Sequence, residues 1–510
     1  MEPGIYMPIP TAAIIGLDAY AVSVEADISF GLPAFMVVGL PDAAVQEARE
    51  RVRSAMKRSG LHFPPTRVTI NLAPADIRKG GSGYDLPLAI SLLVASEQLD
   101  EPKNGWPVMV GELGLDGSLR PVHGALSVSM FAQKTDNQEL IVPAENAREA
   151  ALVNGVKVFA AQNLKQVVDH LSGAEVMSIF PTVDIGNVLQ DARVLDFAEV
   201  KGQNQAKRAL EIAAAGAHNI LLSGPPGSGK TMLARALPGI LPSLTRDETL
   251  EVTRIHSVAG ILSRDGLCLT RPFRSPHHTA SGAALVGGGT HPRPGDVSLA
   301  HRGVLFLDEF PEFTRQVLEN LRQPLEDGFV SVSRALGTVC FPARFILVAA
   351  MNPCPCGYAS DPERACTCSP MIALRYSKKV CGPILDRIDL KVSVPRVLTS
   401  DLVKIENGES SQSIRARVQA ARDRQTGRQN KIKALTNSEL RSDQIRKYLV
   451  QSPDAQKLMR HAADRFHLSA RSYFRVLRVS QTIADLESSD VIEQSHVAEA
   501  LQYRQQVEAN

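Results

Sequence analysis

Apolar and polar positions divide the chain into stretches of different rhythm. Residues 8–15, 20–28 and 35–38 carry the short apolar runs of strands. Over residues 43–58, Val45, Ala48, Val52 and Ala55 fall on one face at helical spacing. Residues 68–72 read as a further strand, and 86–97 as a helix so apolar that it must be buried. Gly111-Glu112-Leu113-Gly114-Leu115-Asp116-Gly117 predicts a strand turning at Asp-Gly into a hairpin. Leu140-Ile141-Val142-Pro143 and a helix from Ala144 complete an α/β domain over residues 1–172. Residues 173–195 lack a periodic pattern, contain Pro181 and Gly186, and read as a linker.

Residues 196–396 return to α/β rhythm. An Ala-rich helix spans 206–215, and apolar strands are expected at 220–222, 304–307 and 345–350. Residues 329–334 and 337–341 predict two strands around the turn Arg334-Ala335-Leu336-Gly337. From 397 to 510 the pattern is helical, ending in a helix at 496–503. There Ile414, Val418 and Ala421 share one face, while Arg415, Arg417, Arg422, Arg424 and Arg428 crowd the others. Those arginines form either a solvated basic face or the edge of a nucleic-acid site.

Length and composition narrow the class. The 510 residues suffice for about three domains of ~150 residues. A hydrophobic fraction of 44% and a charged fraction of 22% are ordinary for a globular chain. No run approaches the ~20 apolar residues of a membrane span, and Met-Glu-Pro-Gly-Ile-Tyr lacks the pattern of a signal peptide. A cytoplasmic location without membrane partners is expected. The net charge of +2 means that nucleic-acid binding must come from a local basic surface.

Chemistry concentrates at Gly224-Pro225-Pro226-Gly227-Ser228-Gly229-Lys230-Thr231, between the strand at 220–222 and a helix over 232–237. This is the phosphate-loop pattern in full. Glycines let several backbone N–H groups face one point, and the following helix adds its positive end. Lys230 reaches terminal phosphates and the Thr231 hydroxyl binds Mg²⁺, so ATP and Mg²⁺ are the expected cofactors. Val304-Leu305-Phe306-Leu307-Asp308-Glu309 is an apolar strand ending in two acids, Asp308 for the Mg²⁺ shell and Glu309 as general base.

Cys354-Pro355-Cys356 and Cys366-Thr367-Cys368 bring four thiols into two close pairs. They suggest a Cys₄ zinc site, although the one-residue gaps are tighter than usual and leave reduced thiols as the alternative. His277 and His278 are adjacent, which suits one tetrahedral metal poorly, and ordinary loop contacts are expected of them.

Several segments resemble known families. Val200-Lys201-Gly202-Gln203-Asn204-Gln205 resembles the adenine-side segment of AAA+ ATPases. In that family Asn352, after the strand at 345–350, matches the polar sensor. Leu385-Asp386-Arg387-Ile388-Asp389 resembles the arginine-finger segment of the magnesium-chelatase and MCM branch, which acts on a neighbouring subunit's site. Arg471 falls on the lid arginine that senses the γ-phosphate. About seventy residues between the phosphate-loop helix and Asp308 exceed a simple crossover. Together with the 329–341 hairpin they match that branch's helix insert and presensor hairpin, which implies that Arg334 meets a phosphate backbone in a central pore.

Gly111 to Val122, and Val142-Pro143-Ala144-Glu145-Asn146, resemble the proteolytic domain of Lon proteases. Lon uses a Ser–Lys pair. The nearest segment, Lys79-Gly80-Gly81-Ser82-Gly83, places Gly83 in the nucleophile slot, so the resemblance implies a fold without protease activity.

The order of these parts resembles the YifB/ComM family of magnesium-chelatase-like AAA+ proteins. The resemblance implies a Lon-like α/β front domain at 1–172, an AAA+ P-loop core at 196–396 and an α-helical lid at 397–510. It also implies a homohexameric ATPase acting on single-stranded and branched DNA, a helicase that drives branch migration during natural transformation. A protein-remodelling ATPase of the metal-chelatase motor type is the alternative.

Overall fold

A computed structural model describes residues 7–183, 195–262, 266–289, 292–334, 337–359, 361, 363–379, 382–396, 408–429 and 436–505. The chain divides into two compact units, Met1–Leu189 with Thr245–Leu269, and Gln190–Leu244 with Thr270–Asn510.

The first unit is built on a four-stranded sheet in the order Ile9–Ile15, Asp18–Ser29, Arg67–Ala73, Ala34–Val38. Its first three strands pair antiparallel and the last runs parallel to Arg67–Ala73. In the long second strand, Val22 and Val24 are buried and Ala26 and Ile28 pack beside them, the period of two that one covered face demands. The expected helix at 43–58 forms as Ala43–Gln46 and Ala48–Arg58, interrupted at Glu47, with Val45, Ala48, Val52 and Ala55 all buried. The helix Asp85–Ala95 is buried along nearly its whole length. A three-stranded parallel sheet joins Val108–Met109, Glu139–Pro143 and Lys157–Ala161, and Glu112–Leu113 pairs with Leu119–Arg120 as the expected hairpin.

Sequence rhythm assigned residues 196–396 to one core, yet Thr245–Leu269 folds with the front unit. The helix Arg246–Ala259 opens with a capping box of Thr245 and Glu248 and closes at Gly260, whose φ of +72° suits glycine. Buried Ser257 accepts the Gly124 N–H at 3.0 Å and donates to Glu149 Oε2 at 2.6 Å. Arg254 donates to the Leu17 carbonyl at 2.6 Å, to Asp18 at 2.6 Å and to Ser127 at 3.1 Å. Amphipathic spacing says that a helix buries one face; it does not say against which core.

The second unit carries a five-stranded parallel sheet, ordered Phe273–Arg274, Val304–Leu307, Ile346–Met351, Ile220–Ser223, Leu390–Ser393. Its inner strands read as unbroken apolar runs because both faces are covered. One hydrophobic core joins this sheet to the C-terminal helices: Ile414, Val418 and Ala421 of Ser411–Gln429 are buried with Leu210, Ala213 and Leu237.

The arginines of Ser411–Gln429 are staples. Arg415 donates to the Gly239 carbonyl at 2.8 Å, Arg417 to Glu211 at 2.7 Å, and Arg422 to the Ala214 carbonyl at 2.8 Å. Arg424 pairs with Asp490 and Arg428 with buried Asp485. Each of these charges thus has a partner within the unit, Arg417 among them although its side chain stays 43% exposed.

Candidate functional site

The phosphate loop lies at the C-terminal end of Ile220–Ser223, and the helix Lys230–Ile240 begins directly behind it. In parallel α/β sheets this edge is where ligands bind. Gly224 is required by a close approach: a Cβ there would lie 2.1 Å from the Val394 carbonyl oxygen. Gly227 and Gly229 have φ of +76° and +91°, the left-handed region that lets the loop curl. The helix starts with no acid in its first turn and no side-chain cap.

Lys230 is 8% exposed. Its ammonium group donates to the carbonyls of Gly224 at 2.8 Å and Pro225 at 2.9 Å, and to Asn352 Oδ1 at 3.3 Å. Burial pulls its pKa below the ordinary lysine value, and the charge of Asp308 opposes that shift. The sheet order explains the meeting with Asn352: the strand Ile346–Met351 is the immediate neighbour of Ile220–Ser223, and both end at the same edge.

Thr231 Oγ1 donates to Asp308 Oδ2 at 2.9 Å. A hydroxyl and a carboxylate side by side are the hard oxygen donors that Mg²⁺ takes, so the residues present fit that ion. Glu309 is exposed, with φ of +50°, and its N–H donates to Asp308 Oδ1 at 2.9 Å. Its carboxylate meets His278 Nδ1 at 3.1 Å. The His278 ring in turn lies 4.1 Å from that of His277 and edge-on to Phe313. Sequence reading gave these histidines only loop contacts; their placement comes from the strand Phe273–Arg274, parallel to Val304–Leu307, which carries residues 275–278 toward the acidic strand end.

Arg387, expected to act on a neighbouring subunit's site, and Arg471, matched to the lid arginine that senses the γ-phosphate, both pair with Glu326 here. Arg387 is 4% exposed, whereas the Arg471 side chain is 55% exposed. Asp389, two residues on, is fixed in a buried network: its carboxylate meets His218 Nδ1 at 3.1 Å and Arg475 Nε at 3.7 Å, and His218 Nε2 lies 2.8 Å from Thr482. Burial alone would raise the Asp389 pKa, but the His218 hydrogen bond and charge, with Arg475 and Arg478, hold it below the ordinary range. Sequence reading missed this anchor. Its trace was a polar stripe at helical spacing, Arg471, Arg475, Arg478, Thr482 and Asp485, along the helix Ala470–Leu486.

The four cysteines converge. Cys354 Sγ lies 3.3 Å from Cys356 Sγ and 3.7 Å from Cys366 Sγ, Cys356 Sγ lies 3.6 Å from Cys366 Sγ, and all four sulfurs, Cys368 included, lie within 4.8 Å of one another. A zinc ion with ~2.3 Å bonds to four sulfurs sets S–S edges of about 3.8 Å. The donor set fits zinc. Backbone N–H groups of Tyr358 and Thr367, with the Cys354 thiol, pull the Cys356 pKa down to about 5, while neighbouring thiols push those of Cys366 and Cys368 up, so the cluster holds its negative charge on Cys356.

The hairpin Phe329–Arg334 with Gly337–Pro342 forms in the expected register, Val332 opposite Val339. The side chain of Arg334 and residues 335–336 lie outside the described residues. In the front unit, the Ser82 hydroxyl donates to Glu112, and fully buried Lys79 donates to the Pro74 carbonyl. The serine and the lysine are thus directed to different partners. Among the described residues, no helix is long and apolar enough to cross a membrane.

A parallel sheet that gathers a phosphate loop, an acid pair and a polar strand end at one edge, with a helical subdomain continuous with its core, has the arrangement of a P-loop ATPase, and the family models place it in the magnesium-chelatase-like AAA+ class. Three family models match in series: Subunit ChlI of Mg-chelatase over residues 24–146, Magnesium chelatase, subunit ChlI over 196–402, and Magnesium chelatase, subunit ChlI C-terminal over 408–504. Uncharacterized protein YifB of Escherichia coli is 46% identical over 499 residues, 97% of this chain and 96% of its own. Competence protein ComM of Haemophilus influenzae is 44% identical over 498 residues, again 97% and 96%. The Magnesium-chelatase 38 kDa subunit of Cereibacter sphaeroides is 28% identical over 174 residues, 31% of this chain and 52% of its own. The chain belongs to the YifB/ComM family of magnesium-chelatase-like AAA+ proteins.

Proposed function

We propose that the chain is an ATP-driven DNA motor, a cytoplasmic homohexameric ring that promotes branch migration so that imported single strands are integrated during transformation and recombination. The observation that carries the reading is similarity along 97% of the chain to a protein named for competence, in a chain whose phosphate loop, acids and sensor asparagine meet at one edge.

In this reading residues 224–231 bind ATP, with Lys230 turning from the loop's own carbonyls to the terminal phosphates. Mg²⁺ held by Thr231 and Asp308 would supply positive charge to the phosphoryl oxygens. Glu309 takes the proton of the attacking water, and Asn352 orients that water. Arg387 leaves Glu326 to stabilise charge on the neighbouring subunit's nucleotide, and Arg471 leaves it for its own. Arg334 at the hairpin tip grips DNA phosphates. The helices from residue 408 act as the lid, and the front unit is a Lon-like domain without proteolysis, as the partners of Ser82 and Lys79 suggest.

A protein-remodelling motor of the metal-chelatase type is favoured by the names of the matching family models. Against it, the chelatase subunit aligns with only 31% of this chain. Glu309→Gln separates the readings. The DNA motor predicts retained ATP binding, turnover lowered about 10²–10⁴-fold, arrested three-strand branch migration, and DNA affinity that falls steeply with salt. Branch migration at the wild-type rate in this variant, or absence of salt-dependent DNA binding, rejects it.

A further inference from the structure

The cysteine knuckle follows directly on Asn352, and its described residues belong to no sheet or helix. The bonds among the described residues of 354–368 are local: the Gly357 N–H donates to the Cys354 carbonyl at 3.0 Å, Asp361 N–H to the Tyr358 carbonyl at 3.1 Å, the Glu363 and Arg364 N–H groups to Asp361 Oδ1 at 2.9 and 3.1 Å, and Arg364 to the Tyr358 hydroxyl at 2.6 Å. Arg364 also lies over the Tyr358 ring, 4.9 Å from its centre. So small a loop cannot bury enough apolar surface to hold one shape, and four thiols at zinc-like separations are what can.

What this loop touches gives the metal a role. Gly357 has φ of +87°, and a Cβ on it would lie 2.6 Å from Pro226 Cδ and 2.7 Å from Pro226 Cγ. The backbone of the knuckle therefore lies close against a proline ring of the phosphate loop, and the same Cβ would lie 3.9 Å from Asn352 Cγ. The phosphate loop is also tied to the strand before the knuckle, since the Gly224 N–H donates to the Met351 carbonyl at 3.2 Å. Pro226 is thus braced by a segment whose shape depends on the four sulfurs.

We propose that Cys354, Cys356, Cys366 and Cys368 bind one zinc ion whose occupancy is coupled to nucleotide binding, because the zinc-held knuckle sets the phosphate loop through Gly357 against Pro226. The cysteines touch no phosphate and take no part in hydrolysis; they act as positioning residues. The inference rests on residues 224–231 being the ATP site. Linkage makes it reciprocal: if zinc tightens nucleotide binding by some factor, nucleotide tightens zinc binding by the same factor.

The test uses the full-length protein. Elemental analysis of the purified chain yields about one zinc per chain, and cobalt exchanged into the site shows the absorption bands of tetrahedral thiolate coordination. A fluorescent, non-hydrolysed ATP analogue then binds the zinc-loaded protein at least about fivefold more tightly than the chelator-stripped protein, the low end of ordinary coupling between sites. The same analogue slows zinc transfer to a chromogenic chelator. Pro226→Ala leaves the four thiols and the knuckle backbone untouched but removes the ring atoms that Gly357 meets, so it retains zinc while its analogue affinity no longer depends on zinc, which separates the contact from any unfolding caused by stripping. A zinc-free native protein overturns the proposal, as does equal analogue affinity with and without zinc in the wild type, or an undiminished zinc dependence in Pro226→Ala. If the zinc-loaded protein does not bind the analogue at all, the reading of the ATP site falls and takes the proposal with it. Binding that is lost in Lys230→Ala but indifferent to zinc sinks the coupling alone.

Discussion

Lys79-Gly80-Gly81-Ser82-Gly83 and Gly227-Ser228-Gly229-Lys230-Thr231 use nearly the same residues. Each runs into an eleven-residue helix, Asp85–Ala95 in one unit and Lys230–Ile240 in the other. In the first, the helix opens on fully buried Asp85, which accepts from Arg51 Nε at 2.6 Å and from the Leu113 N–H at 3.1 Å. Its positive end is answered from within the chain. Lys79 is buried on a backbone carbonyl, and half-buried Ser82 donates to an acid. In the second, the first turn carries no acid, and Lys230 rests on the loop's own carbonyls. The Asp308 carboxylate meets the Thr231 hydroxyl beside it, but no acid of the helix's own first turn answers its N–H end, the setting that suits an anion from outside. A glycine-rich turn before a helix is therefore not in itself a phosphate site; the two turns differ in whether the helix opens on a buried acid of its own.

The largest effect expected from this contrast lies at Lys230. Lys230→Ala lowers ATP turnover by at least about 10²-fold, the scale of losing one charged donor to the developing phosphoryl charge, as a steady-state assay reads directly. Asp85→Ala comes next and acts on folding. Leaving Arg51 against an emptied buried pocket costs about 3 kcal/mol, visible as a lowered denaturant midpoint.

A smaller effect comes from Glu149, the buried acid that holds Ser257. Burial raises its pKa above the ordinary glutamate value, against hydrogen bonds from Ser257, Asn146 and the Leu126 backbone. The native state then holds this proton more tightly than the unfolded chain, so stability falls as pH climbs from the unfolded value through the raised one. Glu149→Gln lacks that loss, and its thermal midpoint gains on the wild type from acid to neutral pH. The smallest change is expected for Ser82→Ala, with ATP turnover within about twofold of wild type, since removing one side chain hydrogen bond is worth about 1 kcal/mol of local stability.

The contrast also marks what a sequence discloses. The phosphate loop is contiguous, so its glycines, Lys230 and Thr231 could be read from spacing alone. Asp308 and Asn352 end apolar strands, and a parallel sheet brings such ends to one edge without further information. Convergence across long separations left no such trace. Arg471 and Glu326 stand 145 positions apart, and nothing in the spacing signals that Arg387 shares their site. His278 reaches Glu309 only because a two-residue strand aims it there. The arginines at 415–428 look like a surface stripe in the sequence, since carbonyl and carboxylate partners from distant segments cannot be seen in it. The departure of Thr245–Leu269 to the front unit follows the same logic, set by Ser257 and Arg254 finding Glu149 and the Leu17 carbonyl.

The most direct test of the motor reading is ATP turnover per chain, measured across a range of protein concentrations with and without branched DNA. Arg387 completing a neighbour's site predicts turnover that rises with concentration as subunits assemble and rises again when DNA is added. A rate per chain that is already maximal in dilute monomer and unmoved by DNA would contradict it.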